Sequence, residues 1–223
     1  MSRQTRWAVA VAVICLAGCA GSLFQSKATP PSIYLLSPAG PAADGDGLAA
    51  NGPAANGPAS DIPVDLAVLK PRLSAGLESD RIAVLYPDRR LDYFADARWS
   101  GPLAEVLQDL AVQEFRTRAA LRTVRGEASV FASAYWLEIE VTAFQAEYTA
   151  ARAAPTVRVH FLARLGGSGD RHILAQFVAN AEQRAAENRL GSIVDAFARA
   201  ADGALSEIVV HADATLAKMS EAR

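Results

Sequence analysis

Cysteine is nearly absent from this sequence: there are two among 223 residues, Cys15 and Cys19, both close to the start. A disulfide framework and a cysteine-based zinc site are thereby excluded from the body of the chain. His160, His172 and His211 are the only histidines, which argues against a histidine metal cluster as well. The apolar run Trp7–Leu16 holds roughly ten residues, half the roughly 20 that a membrane-spanning helix needs. There is no surplus of positive charge, with 22 Lys and Arg against 24 Asp and Glu, so the electrostatic footprint of a nucleic-acid partner is missing. Gly-x-Ser-x-Gly, a phosphate-binding glycine loop and His-Glu-x-x-His are likewise missing.

What is present begins with Arg3 and Arg6, the apolar run, and small residues after it, which together form a secretory signal peptide spanning residues 1–18. The run closes on Leu16-Ala17-Gly18-Cys19, which resembles the lipobox of bacterial lipoproteins. The resemblance implies cleavage before Cys19 and a covalent lipid on its thiol; the plainer alternative is a soluble periplasmic protein with a chance cysteine. One acyl chain anchors only marginally, but the three chains implied by the resemblance would prevent release. Ala20 and Gly21 follow where an Asp would resemble an inner-membrane retention signal, so the expected location is the periplasmic face of the outer membrane. Losing Arg3 and Arg6 leaves 20 Lys and Arg against 24 Asp and Glu, a formal charge of −4. No other cofactor is expected.

Residues 19–32 read as the lipidated cysteine and a polar tether, and Ile33–Leu36 as a first strand. Residues 38–60 are rich in Ala, Gly, Pro, Asn and Asp and contain a near-duplicate, at 51–55 and 56–59. Such a stretch buries too little apolar surface to offset its ordering entropy, so it is expected to be a disordered insertion within one domain spanning 33–218. Strand candidates follow at Asp65–Pro71, Arg81–Leu85 and Leu91–Phe94.

From Pro102 the apolar period becomes helical: Leu103, Val106, Leu107, Leu110, Ala111 and Phe115 form one stripe, with Ser100 or Gly101 as the expected cap and an end near Ala120. Period-two alternation returns in Tyr135–Phe144, with Leu137, Ile139, Val141 and Ala143 on one face. It continues in Val157–Leu165 and, beyond the Gly166–Asp170 hairpin, in Ile173–Ala179. A long helix is expected over Ser192–Lys218, with Ser192 and Asp195 as a capping box. Its stripe comprises Ile193, Phe197, Ala201, Ala204, Leu205, Ile208, Ala212 and Leu216, and Gly203 weakens its middle. Two amphipathic helices packed on one face of a mainly antiparallel sheet make a two-layer α+β domain.

No catalytic or metal-ligating constellation emerges. Glu138 and Glu140 share one strand face and could pair as acid and base, but a solvated sheet face is the commoner outcome. His160 and His172 could meet across the Gly166 hairpin, although exposed strand histidines are the default. Arg89, Arg90, Arg98 and Trp99 gather around the approach to the first helix. Arg and Trp are favoured interface anchors, so these four are the candidate partner-docking residues, with core closure the competing role for Trp99.

Ile33-Tyr34-Leu35-Leu36-Ser37-Pro38, Leu91-Asp92-Tyr93-Phe94 and Arg98-Trp99-Ser100-Gly101-Pro102-Leu103, arranged in this order behind the lipobox, are similar to the ABC-type transport auxiliary lipoproteins. The resemblance spans nearly all of the chain after Cys19 apart from 38–60. It implies a non-enzymatic component working with an MCE-domain substrate-binding protein, a permease and an ATPase to move lipids or other hydrophobic molecules between two membranes. It also implies that this component supplies the outer-membrane end; self-association into a homo-oligomer is compatible with the exposed sheet. The alternative is a stand-alone envelope lipoprotein acting as a lipid-binding chaperone or assembly factor, and the chaperone would need an apolar cleft between helices and sheet.

Overall fold

The computed structural model describes residues 30–38, 62–126, 133–150, 153–169 and 172–221. Cys19, the signal segment, most of the tether and residues 39–60 lie outside the described residues. Among the described residues the strands are β1 (Ser32–Tyr34), β2 (Ile62–Val68), β3 (Arg72–Leu73), β4 (Arg81–Leu85), β5 (Leu91–Trp99), β6 (Leu121–Gly126), β7 (Tyr135–Glu147), β8 (Thr156–Gly167) and β9 (Ile173–Arg184). The helices among these residues are α1 (Leu103–Arg118), between β5 and β6, and α2 (Leu190–Glu221), after β9.

All nine strands join one open sheet organised around β7. Along one edge β7 pairs with β8 over its whole length, and β8 with β9, both antiparallel, giving the expected meander. Its other edge is shared in succession by three short strands, all parallel to it: β2 at Tyr135–Leu137, β3 at Glu140 and Val141, and β4 at Ala146 and Glu147. The links between them continue the ladder, Leu69 and Ser74 donating their N–H groups to the Leu137 and Val141 carbonyls at 2.8 and 3.0 Å. β6 extends the sheet from β2, while β5 and then β1 extend it from β4.

Both helices cover one face. α2 lies on β8 and β9 and reaches β2 and β7, while α1 lies on β6 and β2 and against α2. All eight residues of the expected α2 stripe are buried. They meet Val157, Val159, Phe161, Ala163 and Leu165, the inward set of β8, which is also buried throughout. Phe115, Phe144, Phe161 and Phe197 fill the space between the layers.

Local departures from the expected elements have identifiable causes. A bulge between Val141 and Ala143 inserts one extra residue into β7, so Phe144 and Ala146 point into the core where the alternation placed Ala143. The cap of α1 is Pro102 itself, with no side-chain bond; the Leu103 N–H donates to the Ser79 carbonyl at 3.0 Å instead of turning to Ser100 or Gly101. α2 begins two residues before Ser192, which is buried inside its first turn and is not the cap.

Candidate functional site

The four expected docking residues lie on the β4–β5 hairpin, but the hairpin separates them. Arg89 and Arg90 form its tip. The Arg89 N–H closes the turn onto the Tyr86 carbonyl at 2.9 Å, and Tyr86 donates to the Arg90 carbonyl at 3.0 Å. Pro87 suits the first central position of such a turn, and Arg89 then takes a left-handed conformation, φ 67°, that favours glycine. The Arg90 guanidinium lies over the Tyr86 ring, 4.8 Å from its centroid, and Tyr86 stacks on Tyr148 at 5.8 Å. The Tyr148 hydroxyl donates to Asn188 Oδ1 at 2.6 Å, tying the tip to the loop before α2. Burial pushes the Tyr148 phenol above its ordinary range, and the neighbouring Tyr86 adds to the rise. Asp88 and Asp92 stand 3.9 and 4.0 Å from the Arg90 guanidinium, exposed pairs that hold it weakly.

Arg98 and Trp99 sit at the other end of β5, about 25 Å from the tip at the rise of an extended strand. Trp99 is 2% exposed, its ring edge-on to Phe197 at 5.3 Å and to Phe144 at 6.0 Å. It therefore closes the core, and the surface at this end belongs to Arg98. Arg98 Nη1 donates to both oxygens of Asp80 at 2.9 and 2.8 Å, fastening the base of the hairpin to the loop that precedes β4. On the same face, β1 sets Ile33 beside Arg98, and β4 sets Arg81 on its other side. The Arg81 guanidinium rests 3.9 Å from the centroid of the Tyr93 ring.

The carboxylate candidates are held in ion pairs. Glu138 and Glu140 are bridged by Arg164, 3.1 Å to each, and Glu138 also meets Arg72 at 2.9 Å. The two carboxylates hold the Arg164 charge more firmly than usual. Arg158 bridges Glu147 and Glu182 in the same way, at 3.1 and 3.0 Å. His160 contacts Thr142 and stands opposite Asn180, whereas His172 stands at the hairpin, its carbonyl accepting from the Gly167 N–H, so the two do not meet. His211 stacks on Phe177. Among the described residues no three His, Cys, Asp or Glu side chains gather as metal ligands. A surface depression of about 550 Å³ beside the start of α1 is lined by Lys70, Arg72, Leu73, Glu78 and Leu103; the Lys70–Glu105 pair, 2.9 Å apart, stands beside it.

One ionised cluster escaped the sequence reading. Glu114 is 1% exposed in the α1–α2 contact, where Arg118 Nε donates to it at 2.5 Å and Arg118 Nη2 donates to Asp202 of α2 at 2.6 Å. Burial raises the Glu114 carboxyl above the usual carboxylate range against the opposing pull of Arg118. The signal was present: Glu114 is four residues after Leu110 and seven after Leu107, on the apolar stripe itself.

The sequence model of the ABC-type transport auxiliary lipoprotein component family matches residues 47–209, which include every element from β2 through most of α2. This chain belongs to that family. The auxiliary lipoprotein is also similar in fold to a crystal structure of a protein from Xanthomonas campestris, with a TM-score of 0.67 and 22% identity, covering 85% of this chain and 99% of that one. A second crystal structure, of an uncharacterized protein, gives a TM-score of 0.60 at 14% identity, covering 82% of this chain and 99% of that one. At these identities both show the fold alone. No curated protein matches the chain. The match begins after β1, so the Ile33–Pro38 part of the resemblance lies ahead of it.

Proposed function

We propose that this auxiliary lipoprotein is a non-catalytic component of an intermembrane transport system, anchored through lipid on Cys19 at the periplasmic face of the outer membrane. There it docks an MCE-domain substrate-binding protein served by a permease and an ATPase. The observation that carries this reading is the family match across the folded domain, set behind a lipobox at Cys19. The filled core and the ion-paired sheet face support a docking role over a cargo-carrying or hydrolytic one.

The tip of the β4–β5 hairpin supplies the partner contact, through Arg89 and Arg90. Both side chains are exposed, and Arg89 occupies a backbone conformation that a residue chosen for stability alone would leave to glycine. The lipid holds the domain at one surface and raises its effective concentration for a partner crossing the periplasm, so a small contact suffices.

The test is crosslinking in cells followed by purification of the full-length lipoprotein. Wild type is expected to recover the MCE-domain protein with its permease and ATPase. Arg89→Glu with Arg90→Glu should lose them while keeping the wild-type melting profile. A lipidated wild-type protein that repeatedly recovers none of the three would overturn the transport reading.

A further inference from the structure

The base of the hairpin combines features that the docking reading leaves unused. Ile33 and Leu35 are 68% and 73% exposed, while Tyr34 and Leu36 between and after them pack against the core. Among the described residues β1 pairs on one side only, with β5. Arg98 and Arg81 continue the row from Ile33 across β5 and β4, so two large apolar side chains stand beside two guanidinium groups on one surface. Apolar side chains flanked by Arg and Lys are the composition of surfaces that settle into the boundary between lipid headgroups and acyl chains.

The position of this patch along the chain selects its occupant. Only residues 20–31 separate Cys19 from Ser32. In any conformation that length spans at most about 45 Å, so a lipid on Cys19 keeps the start of β1 near the bilayer. Ile33 and Leu35 are the first large apolar residues of the domain that the tether delivers there. We infer that Ile33 of β1 and Leu35 just beyond it, with Arg81 and Arg98, form a second membrane contact that lies on the phospholipid surface and orients the domain. The hairpin tip, with Arg89 and Arg90, stands about 25 Å along β5 from this contact. The inference rests on the proposed anchoring at Cys19.

The sequence makes this easy to read, because Cys15 leaves with the signal peptide and Cys19 is occupied by lipid. Ile33→Cys, Leu35→Cys and Val210→Cys would each be labelled with bimane in the full-length lipoprotein. The labelled proteins would be bound to phosphatidylethanolamine–phosphatidylglycerol vesicles with or without lipids brominated high on their acyl chains. Val210 is exposed on α2 and serves as the control. Brominated lipid is expected to cause a loss of fluorescence at 33 and 35 but not at 210. Wild-type protein that fails to float with vesicles would overturn the anchor and this contact with it. Flotation with equal quenching at all three positions would overturn the contact alone. So would a blue-shifted label at 33 that ignores bromine, which would mean that protein covers the patch, a second copy included.

Discussion

The Trp136 indole lies on the backbone of Gly166 in the neighbouring strand, its Nε1 donating to the Gly167 carbonyl at 3.1 Å. A Cβ on Gly166 would overlap the indole ring and stand 2.9 Å from the His172 carbonyl oxygen. Gly166→Ala should therefore expel the ring and destabilise the domain by about 1–3 kcal/mol, the range for overpacked sites. Urea unfolding would measure the loss, and near-ultraviolet circular dichroism the freed indole. Trp136→Ala combined with Gly166→Ala should cost less than the two single losses added together, because the clash partner is gone. Additive losses would place the strain elsewhere.

At the hairpin tip, stability and docking should separate. Arg89 holds φ 67°, and a left-handed non-glycine residue costs on the order of 1 kcal/mol. Arg89→Gly should relieve that strain and raise the melting temperature while weakening recovery of the proposed partner. A variant that is both more stable and fully competent in crosslinking would show that the Arg89 side chain contributes nothing to docking.

Glu114 and Arg118 should respond unequally to substitution. Glu114→Gln removes a buried charge and leaves Arg118, which is partly solvated, with Asp202; the expected change is under about 1 kcal/mol. Arg118→Met strands the Glu114 carboxylate in the α1–α2 contact and should cost about 2–3 kcal/mol, below the full figure for a broken buried pair because Arg118 is partly exposed. The pH dependence has a definite sign. With its folded pKa raised, Glu114 binds more protons in the folded state than in the unfolded one, so its contribution falls as pH climbs from its ordinary 4.5 through the raised value. Without Arg118 that rise grows, so the deficit of Arg118→Met should shrink toward pH 5 and widen toward neutrality. Denaturant midpoints across that range would read it.

The fold was legible where burial follows a local period. The α2 stripe from Ile193 to Leu216 and the inward row of β8 were fixed by spacing alone, and each of those residues is buried. Legibility failed where a nonlocal partner decides. β6 buries Leu121 and Val124, three residues apart, a spacing that suits a helix better than a strand; its pairing with β2 makes it a strand. β3 is two residues that exist as a strand only because β7 offers them an edge. The β7 bulge is invisible to a period-two count because Ala143 and Phe144 are both apolar, and only the partner strand selects which one points inward. For the site, residue type was legible and placement was not. Arg89, Arg90 and Arg98 are neighbours in sequence, but an extended strand puts its ends far apart, and Trp99 alternates into the core beside an exposed Arg98.

Gly203 offers a stabilising change. It is exposed in the middle of α2, and an added Cβ would meet only the Ala181 Cβ at 3.9 Å, an ordinary contact. Close packing therefore does not require glycine here, and Gly203→Ala should gain up to about 1 kcal/mol of helix propensity. For a domain of this size that corresponds to a rise of roughly 2–4 °C in melting temperature. A fall would mean that the α2–β9 contact tightens in solution beyond what the 3.9 Å spacing allows.

The adjacent pair Arg98 and Trp99 gives the sharpest contrast. Trp99→Ala empties a site bounded by Phe144 and Phe197 and should cost about 3–5 kcal/mol, enough to unfold a marginal domain. Arg98→Ala breaks an ion pair that is partly exposed on both sides and should cost no more than about 1 kcal/mol. Any loss of partner association in Trp99→Ala would thus report unfolding, and the tip variants must carry the docking test. Guanidinium-chloride titrations of the two variants side by side decide it. If Trp99→Ala kept the wild-type midpoint, the indole would not be the core residue its edge-on contacts with Phe144 and Phe197 make it. Its place in the docking surface would then have to be restored.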